Sequence, residues 1–180
     1  MDGVTDCGQD GSAMKINEES VLDIEGIGII LFSPASVRHI KQGEDYLTYF
    51  YSEEGRVQAH IQEGSIVGFC TGSSGRYLLR PRMGYPSDEE LADSEFRLRL
   101  GLVCRDDCVH FRDLYDLLSW SPDTPEQQVL YLPRGIYHIT LTSKCPDSGI
   151  LGDNQRINCY FNPLASFPKL TANGVPHLCE

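Results

Sequence analysis

The chain has 180 residues, which suits one domain with a sizeable core and is short for two. Hydrophobic residues make up 41% and charged residues 23%, an ordinary globular composition that argues against wholesale disorder. Fifteen basic residues against 26 acidic ones give a net charge of -11, which disfavours binding to nucleic acid or anionic membranes and suits a basic protein partner. Solubility alone is the simpler explanation of such a charge.

The cysteines and the apolar runs predict the cellular compartment. The seven cysteines are an odd number without regular spacing, and no apolar stretch typical of a secretory signal follows the N-terminus. No run approaches the ~18 apolar residues that are needed to span a bilayer. These features indicate a cytoplasmic protein with reduced thiols and no membrane segment.

The N-terminal part divides into a tail and the first strands. Residues 1–15 contain three glycines and few large apolar groups, so we predict a flexible acidic tail before a single domain over residues 16–180. Residues 21–32 have the composition of one or two strands. The dense apolar run at residues 27–31 indicates a central strand that is buried on both faces.

The next segments predict a series of short strands. Residues 46–51 and 56–62 are rich in β-forming side chains and flank a polar turn that ends in Gly55, which predicts a hairpin. Further strands are predicted over residues 65–70 and 76–80, where turn-forming residues bound each apolar run.

A short helix with a strongly acidic surface is predicted next. Ser87 is followed three residues later by Glu90, which is the pattern of a capping box at a helix start. Five acids lie within eight residues, with no base among them: Asp88, Glu89, Glu90, Asp93 and Glu95. Two interpretations stand side by side, a favourable interaction with the helix N-terminus together with solvation, or a plug for the basic cleft of a partner.

The middle of the chain carries the clearest pattern. Apolar residues at every second position predict a strand over residues 96–104, and a turn that contains Asp106 and Asp107 follows it. Residues 108–111 are the predicted return strand of this hairpin. Asp113 is then the N-cap candidate of a short helix.

The remaining segments complete the predicted fold. Trp120 is expected to pack against the sheet and to anchor the preceding helix. Residues 128–133 and 135–143 are a second predicted hairpin, residues 156–161 a last strand, and residues 163–180 a segment along the surface. Together the elements predict a mainly β fold, an antiparallel β-sandwich of roughly nine or ten short strands with two short helices.

The order of elements in the middle of the chain resembles that of bacterial toxin-immunity proteins. It runs through a charged turn, the helix Arg-Asp-Leu-Tyr-Asp-Leu, a tryptophan, a proline-rich link and the strand Leu-Pro-Arg-Gly-Ile-Tyr-His-Ile-Thr-Leu. The strand over residues 132–142 is also similar to one in the competence nuclease inhibitor family, small β-sandwich proteins that block a partner enzyme. This resemblance covers about a quarter of the chain. It implies inhibition by binding, and no functional residue is carried over from it.

The sequence contains few motifs that are typical of a metal site or of catalysis. Cys104, Cys108 and His110 are ligand types that zinc prefers, but a closed site needs a fourth ligand and none occurs at regular spacing. We therefore expect buried cysteines, no metal and no cofactor. No nucleophile motif with a neighbouring base is evident, so we expect no enzymatic activity.

These observations together predict a cytoplasmic immunity protein that binds and occludes a cognate protein toxin with a basic surface. Its partner-binding residues would be the five acids of the predicted helix, with Asp106 and Asp107 as a secondary part of the surface. Two alternatives from other classes stay open: a hydrolase that reverses a toxin's modification, and a plain ligand-binding β-domain.

Overall fold

The computed structural model describes residues 11–53, 55–170 and 174–179. Nine strands lie within these residues: β1 (Ser20–Ile24), β2 (Gly28–Phe32), β3 (Ile66–Cys70), β4 (Gly75–Met83), β5 (Phe96–Cys104), β6 (Cys108–Asp113), β7 (Val129–Tyr131), β8 (Gly135–Ser143) and β9 (Asp153–Leu164). They form a five-stranded sheet in the order β1-β4-β9-β8-β5 and a four-stranded sheet in the order β3-β2-β6-β7. The predicted mainly β, sandwich-like fold is confirmed.

Short helices connect and cover these sheets. Within the described residues, α1 (Arg56–Glu63) and α2 (Asp88–Asp93) are α-helical, and a five-residue π-helical turn precedes α1. Three 3-10 turns complete the set, at Pro34–Val37, Leu114–Leu118 and Glu126–Gln128. No helix in the described part of the chain is both long enough and apolar enough to cross a membrane.

The main core lies between the two sheets. Side chains at alternate positions of β8 (Tyr137, Ile139 and Leu141) pack with those of the facing sheet, because successive side chains of a strand point to opposite faces. A second core cluster lies on the other face of the four-stranded sheet and includes Phe32 and Trp120. The central strand β2 is therefore buried along its whole length, as the dense apolar run predicts, although Ile27 at the start of that run precedes the strand and is exposed.

Trp120 anchors the turn at Leu114–Leu118, as predicted. Its indole is almost fully buried and meets the Phe32 ring edge-on, with the ring centroids 5.6 Å apart. The guanidinium of Arg112 lies 4.5 Å from the indole centroid. The predicted N-cap is also present, since the Asp113 side chain accepts a hydrogen bond from the backbone N–H of Tyr115.

The hairpin predicted over residues 46–62 is wrong. Leu47–Tyr51 is the π-helical turn and Arg56–Glu63 is α1, which ends at Gly64 with a positive φ of 63°. The buried side of this helical segment carries Tyr46, Tyr51 and Ile61. Aromatic side chains favour strands in general, but here burial of one side of a helical pair outweighs that propensity.

Two further predicted hairpins are also wrong, because their strands belong to different sheets. The chain passes from β5 to β6 and from β7 to β8 by crossing between the sheets. The Ser33 hydroxyl holds the first crossing in place, since it accepts from the backbone N–H of Arg105 and donates to the carbonyl of Cys108. Asp107 supports the sharp bend with a positive φ of 58°.

The strand pairing and the chain ends depart from the prediction in three places. One neighbouring pair, β4 with β9, is parallel, whereas the other pairs between strands are antiparallel. The C-terminal segment does not only follow the surface, because Leu178 is fully buried. Met14 is also buried and bridges Leu130, so the end of the predicted tail is attached to the core, while residues 1–10 lie outside the described ranges.

Candidate functional site

The helix α2 starts with the capping box that the sequence predicts. The Ser87 hydroxyl accepts a hydrogen bond from the backbone N–H of Glu90 at 3.2 Å. In return, the Glu90 carboxylate accepts one from the backbone N–H of Ser87 at 2.7 Å. These reciprocal bonds satisfy two backbone donors that a helix start otherwise leaves unpaired.

Glu90 also ties α2 to the outer face of the five-stranded sheet. Its carboxylate lies 3.1 Å from Nη1 of Arg82 on β4 and is a neighbour of the Tyr160 hydroxyl on β9. The Ser87 backbone bond and the charge of Arg82 lower the pKa of Glu90. Burial and the neighbouring Glu90 carboxylate raise the pKa of Tyr160 to about 12. Glu90 is therefore a structural carboxylate, held charged by its surroundings.

The C-terminal end of α2 is fixed in the same manner. Asp93 forms an ion pair with Lys144 at 2.8 Å, and Glu95 accepts a hydrogen bond from the backbone N–H of Cys145. The hydrogen bond and charge of Asp93, with the charges of Glu95 and Asp147, raise the pKa of Lys144. Glu90 thus attaches the first turn of α2 to the nearby strand β4, whereas Asp93 and Glu95 attach its C-terminal end to residues 144 and 145, which are distant in sequence.

The remaining two acids of the predicted run are placed differently. Asp88 and Glu89 are exposed at the first turn of α2, and neither forms an ion pair with any described residue. The structure therefore divides the run into Glu90, Asp93 and Glu95, which hold the helix, and Asp88 and Glu89, whose charges face solvent. Negative charge at this end of a helix is also favourable for the helix itself.

A cleft of about 310 Å³ runs alongside α2. Glu90 and Asp93 line it from the helix, and Asp147 lines it from the loop that follows β8. Lys144 and Arg156 contribute positive charge to the same cleft. Two of the predicted acids thus border a concave surface of mixed charge, and Asp88 and Glu89 do not line it.

Asp106 and Asp107 lie far from α2, in the crossing between β5 and β6. Because β5 has nine residues, roughly 30 Å separates its two ends. Asp106 binds the guanidinium of Arg38 and the backbone N–H of Ala35, and Asp107 pairs with Arg134. The structure therefore does not bring these two acids together with the acids of α2.

Cys104, Cys108 and His110 lie near one another around the crossing between β5 and β6. No group of three or more His, Cys, Asp or Glu side chains in the described ranges is arranged to hold a metal ion. The Cys108 sulfur lies 3.8 Å from Nε2 of His110, and Thr124 binds the other ring nitrogen. Burial raises the pKa of Cys104 and of Cys108, which disfavours the thiolate that a nucleophile requires.

One polar cluster was not predicted, because its segment was assigned to a hairpin. Tyr46 binds Nε2 of both His39 and His60, each at 3.0 Å, and Nδ1 of His60 lies 2.8 Å from the Ser65 hydroxyl. The chain of bonds connects α1 to β3. The sequence signal for this helical segment is the spacing of Tyr46, Phe50 and Tyr51, which places the three rings on one side of the helical turn.

Comparisons with known proteins identify a shared fold. No protein-family model and no curated protein matches the chain. Among solved structures, the chain is similar to ComJ from Bacillus subtilis, described as an inhibitor of the DNA-degrading activity of NucA, with a TM-score of 0.52 and 14% identity. That match covers 84% of this chain and 100% of ComJ. The protein of crocagin biosynthetic gene J is also similar, with a TM-score of 0.48, 13% identity, and coverage of 79% of this chain and 96% of the other.

Proposed function

We propose that the protein is an inhibitor that binds a cognate toxin with a basic surface and occludes its active site. The fold shared with an inhibitor of a DNA-degrading enzyme supports this class of function. The net charge of -11 supports a basic partner. An enzyme that degrades nucleic acid fits that description, because a site that binds a phosphate backbone is built from Lys and Arg.

The observation that carries the proposal is the pair of exposed carboxylates on a helix that is fixed at both ends. Asp88 and Glu89 have no ion-pair partner among the described residues. Since the capping box and Arg82 already hold α2 in place, a partner would not have to order this helix on binding. Binding a preorganised surface costs less conformational entropy than binding a loop.

The proposed mechanism combines steering with steric cover. Asp88 and Glu89 attract the basic rim of the partner's cleft and raise the association rate. The helix α2 and the loop around Asp147 then cover the cleft of the partner and exclude the partner's substrate. Asp93 and Glu95 add negative potential, although Asp93 pairs with Lys144 and Glu95 accepts a hydrogen bond from a backbone N–H. Asp106 and Asp107 belong to a second, distant surface.

Co-expression of the chain with the product of the gene adjacent to its own tests the proposal. We expect wild-type protein to restore growth and to form a stoichiometric complex with that toxin, and the double variant Asp88→Asn/Glu89→Gln to protect less well. The matched control is Glu18→Gln/Asp123→Asn, which removes the same charge from two exposed acids without ion pairs to described residues. Absence of both protection and complex would overturn the proposed function. Equal loss in the control would overturn the role of α2.

A further inference from the structure

A second concave surface, distinct from the cleft beside α2, carries only positive charge. A cleft of about 630 Å³ lies at the edge strand β5 and is lined by Arg97, Leu98, Arg99, His138, Lys169, Leu170 and Pro176. No Asp or Glu of the described chain lines it. In a protein with a net charge of -11, three basic side chains together without an acid form an unusual local environment.

These basic residues stand out from the other basic residues of the chain. Eight of the fifteen Lys and Arg side chains form ion pairs with described acids. Three of the other seven, Arg97, Arg99 and Lys169, line this one cleft. Because like charges repel, such a grouping is unfavourable by itself and becomes favourable when an anion binds.

The strand register brings the polar groups to one place. Arg99 lies opposite Thr140 and Gly101 lies opposite His138 in the pairing of β5 with β8, so Arg99 and His138 are diagonal neighbours on the outer face. The Tyr85 hydroxyl binds Nδ1 of His138 at 3.0 Å. When Tyr85 donates that bond, the proton of neutral His138 is on Nε2, which is then a hydrogen-bond donor.

The other walls of the cleft are also fixed. Arg97 donates to the Ser94 hydroxyl at 3.1 Å and to the carbonyl of Leu91, which holds its guanidinium at the C-terminal end of α2. The segment that carries Lys169 is held against β5 where Gly101 leaves room for the Phe167 ring, since a Cβ there would lie 2.6 Å from the ring. Arg99 and Lys169 have no hydrogen-bond or ion-pair partner among the described residues, so their donors are available.

We propose that this cleft binds a phosphorylated small molecule. Arg97, Arg99 and Lys169 would contact the phosphate, because guanidinium and ammonium donors make strong charge-assisted bonds to phosphate oxygens. The uncharged part of the ligand would lie against Leu170 and Pro176, which give the cleft its apolar wall. A volume of about 630 Å³ is within the usual range for small-molecule sites. The proposal does not rest on the proposed inhibitor function.

Isothermal titration calorimetry with inorganic phosphate, adenosine monophosphate and adenosine tests the site on the full chain. We expect both phosphate-bearing probes to bind saturably, the nucleotide more tightly because it also covers the apolar wall, and adenosine not to bind. Increasing salt should weaken binding, since the contact is ionic. The proposal would be overturned if inorganic phosphate or adenosine monophosphate failed to bind saturably at millimolar concentration. Equal binding of adenosine and its monophosphate would also overturn it.

Variants identify the residues that bind the phosphate. Arg99→Gln/Lys169→Gln should weaken nucleotide binding by at least roughly tenfold, because hydrogen bonds to charged groups are among the stronger ones. Both side chains are exposed, so the thermal stability without ligand should stay at the wild-type value. The matched control, Lys41→Gln/Arg105→Gln, removes two other basic side chains without ion pairs and should bind as wild type. Equal weakening in the control would show general screening of charge and would overturn the site.

Discussion

Removal of the Glu90 side chain is expected to loosen α2 without touching the two exposed acids. Glu90 accepts a hydrogen bond from the backbone N–H of Ser87 in the capping box, pairs with Arg82 and neighbours the Tyr160 hydroxyl. Glu90→Ala removes all three contacts. Glu90→Gln keeps a side chain that can complete a capping box and removes only the charge, so the two variants separate the cap from the ion pair.

The expected magnitudes follow from these contacts. Glu90→Ala removes one bond of the capping box, since the Ser87 hydroxyl still accepts from the backbone N–H at position 90. Loss of one such hydrogen bond costs about 0.5–1.5 kcal/mol, and a partly exposed ion pair adds up to about 1 kcal/mol. Glu90→Ala should therefore lower the free energy of unfolding by about 0.5–2.5 kcal/mol, and Glu90→Gln by no more than about 1 kcal/mol. The helix has six residues, so the rest of the sandwich should stay folded in both variants.

Urea unfolding gives the two stabilities, and hydrogen exchange of the α2 amides shows whether the loss is local. We expect faster exchange in α2 of Glu90→Ala, and slower association with the toxin although Asp88 and Glu89 remain. Equal stability and equal α2 exchange in Glu90→Ala, Glu90→Gln and wild type would refute the conclusion that Glu90 holds the helix.

Two further predictions concern the core and the pH dependence of stability. Trp120→Ala should cost about 3–5 kcal/mol, a melting shift on the order of ten degrees, whereas a shift of only a couple of degrees would contradict its anchoring role. Burial lowers the pKa of His60, His110 and His138. Each therefore contributes stability that is present above the unfolded-state pKa of about 6.5 and is lost as pH falls below it. Urea unfolding between about pH 7.5 and about pH 5 should show that loss of stability. The variant His60→Gln/His110→Gln should lose less stability over the same range, and an unchanged pH dependence in the variant would contradict the role of these two histidines.

Patterns that depend on neighbours in sequence were predicted well. The alternation in β5 and β8, the buried run of β2 and the capping box of α2 each follow from residues within one element. In each case the side chains that decide the conformation are close enough in sequence to be read as a period or a cap. The mainly β sandwich follows from these elements together.

What could not be predicted depends on partners that are distant in sequence. Short strands separated by polar turns suggest hairpins, but the bonds that Ser33 makes to the crossing after β5 direct β6 to the other sheet. The sequence predicts the acids of α2, but it does not predict that Asp93 pairs with Lys144, which lies 51 residues away. The distinction between structural and exposed acids therefore needed the folded chain.

The association rate with the proposed partner toxin at two ionic strengths tests the central claim most directly. The Debye length falls from about 30 Å at 0.01 M salt to about 8 Å at 0.15 M, so steering by Asp88 and Glu89 should be strong only in the first condition. We predict that Asp88→Asn/Glu89→Gln associates roughly tenfold more slowly than wild type at low salt, and that this ratio shrinks at high salt. Glu18→Gln/Asp123→Asn should change the rate far less. An unchanged association rate of the α2 variant at low salt, with full inhibition retained, would contradict the account.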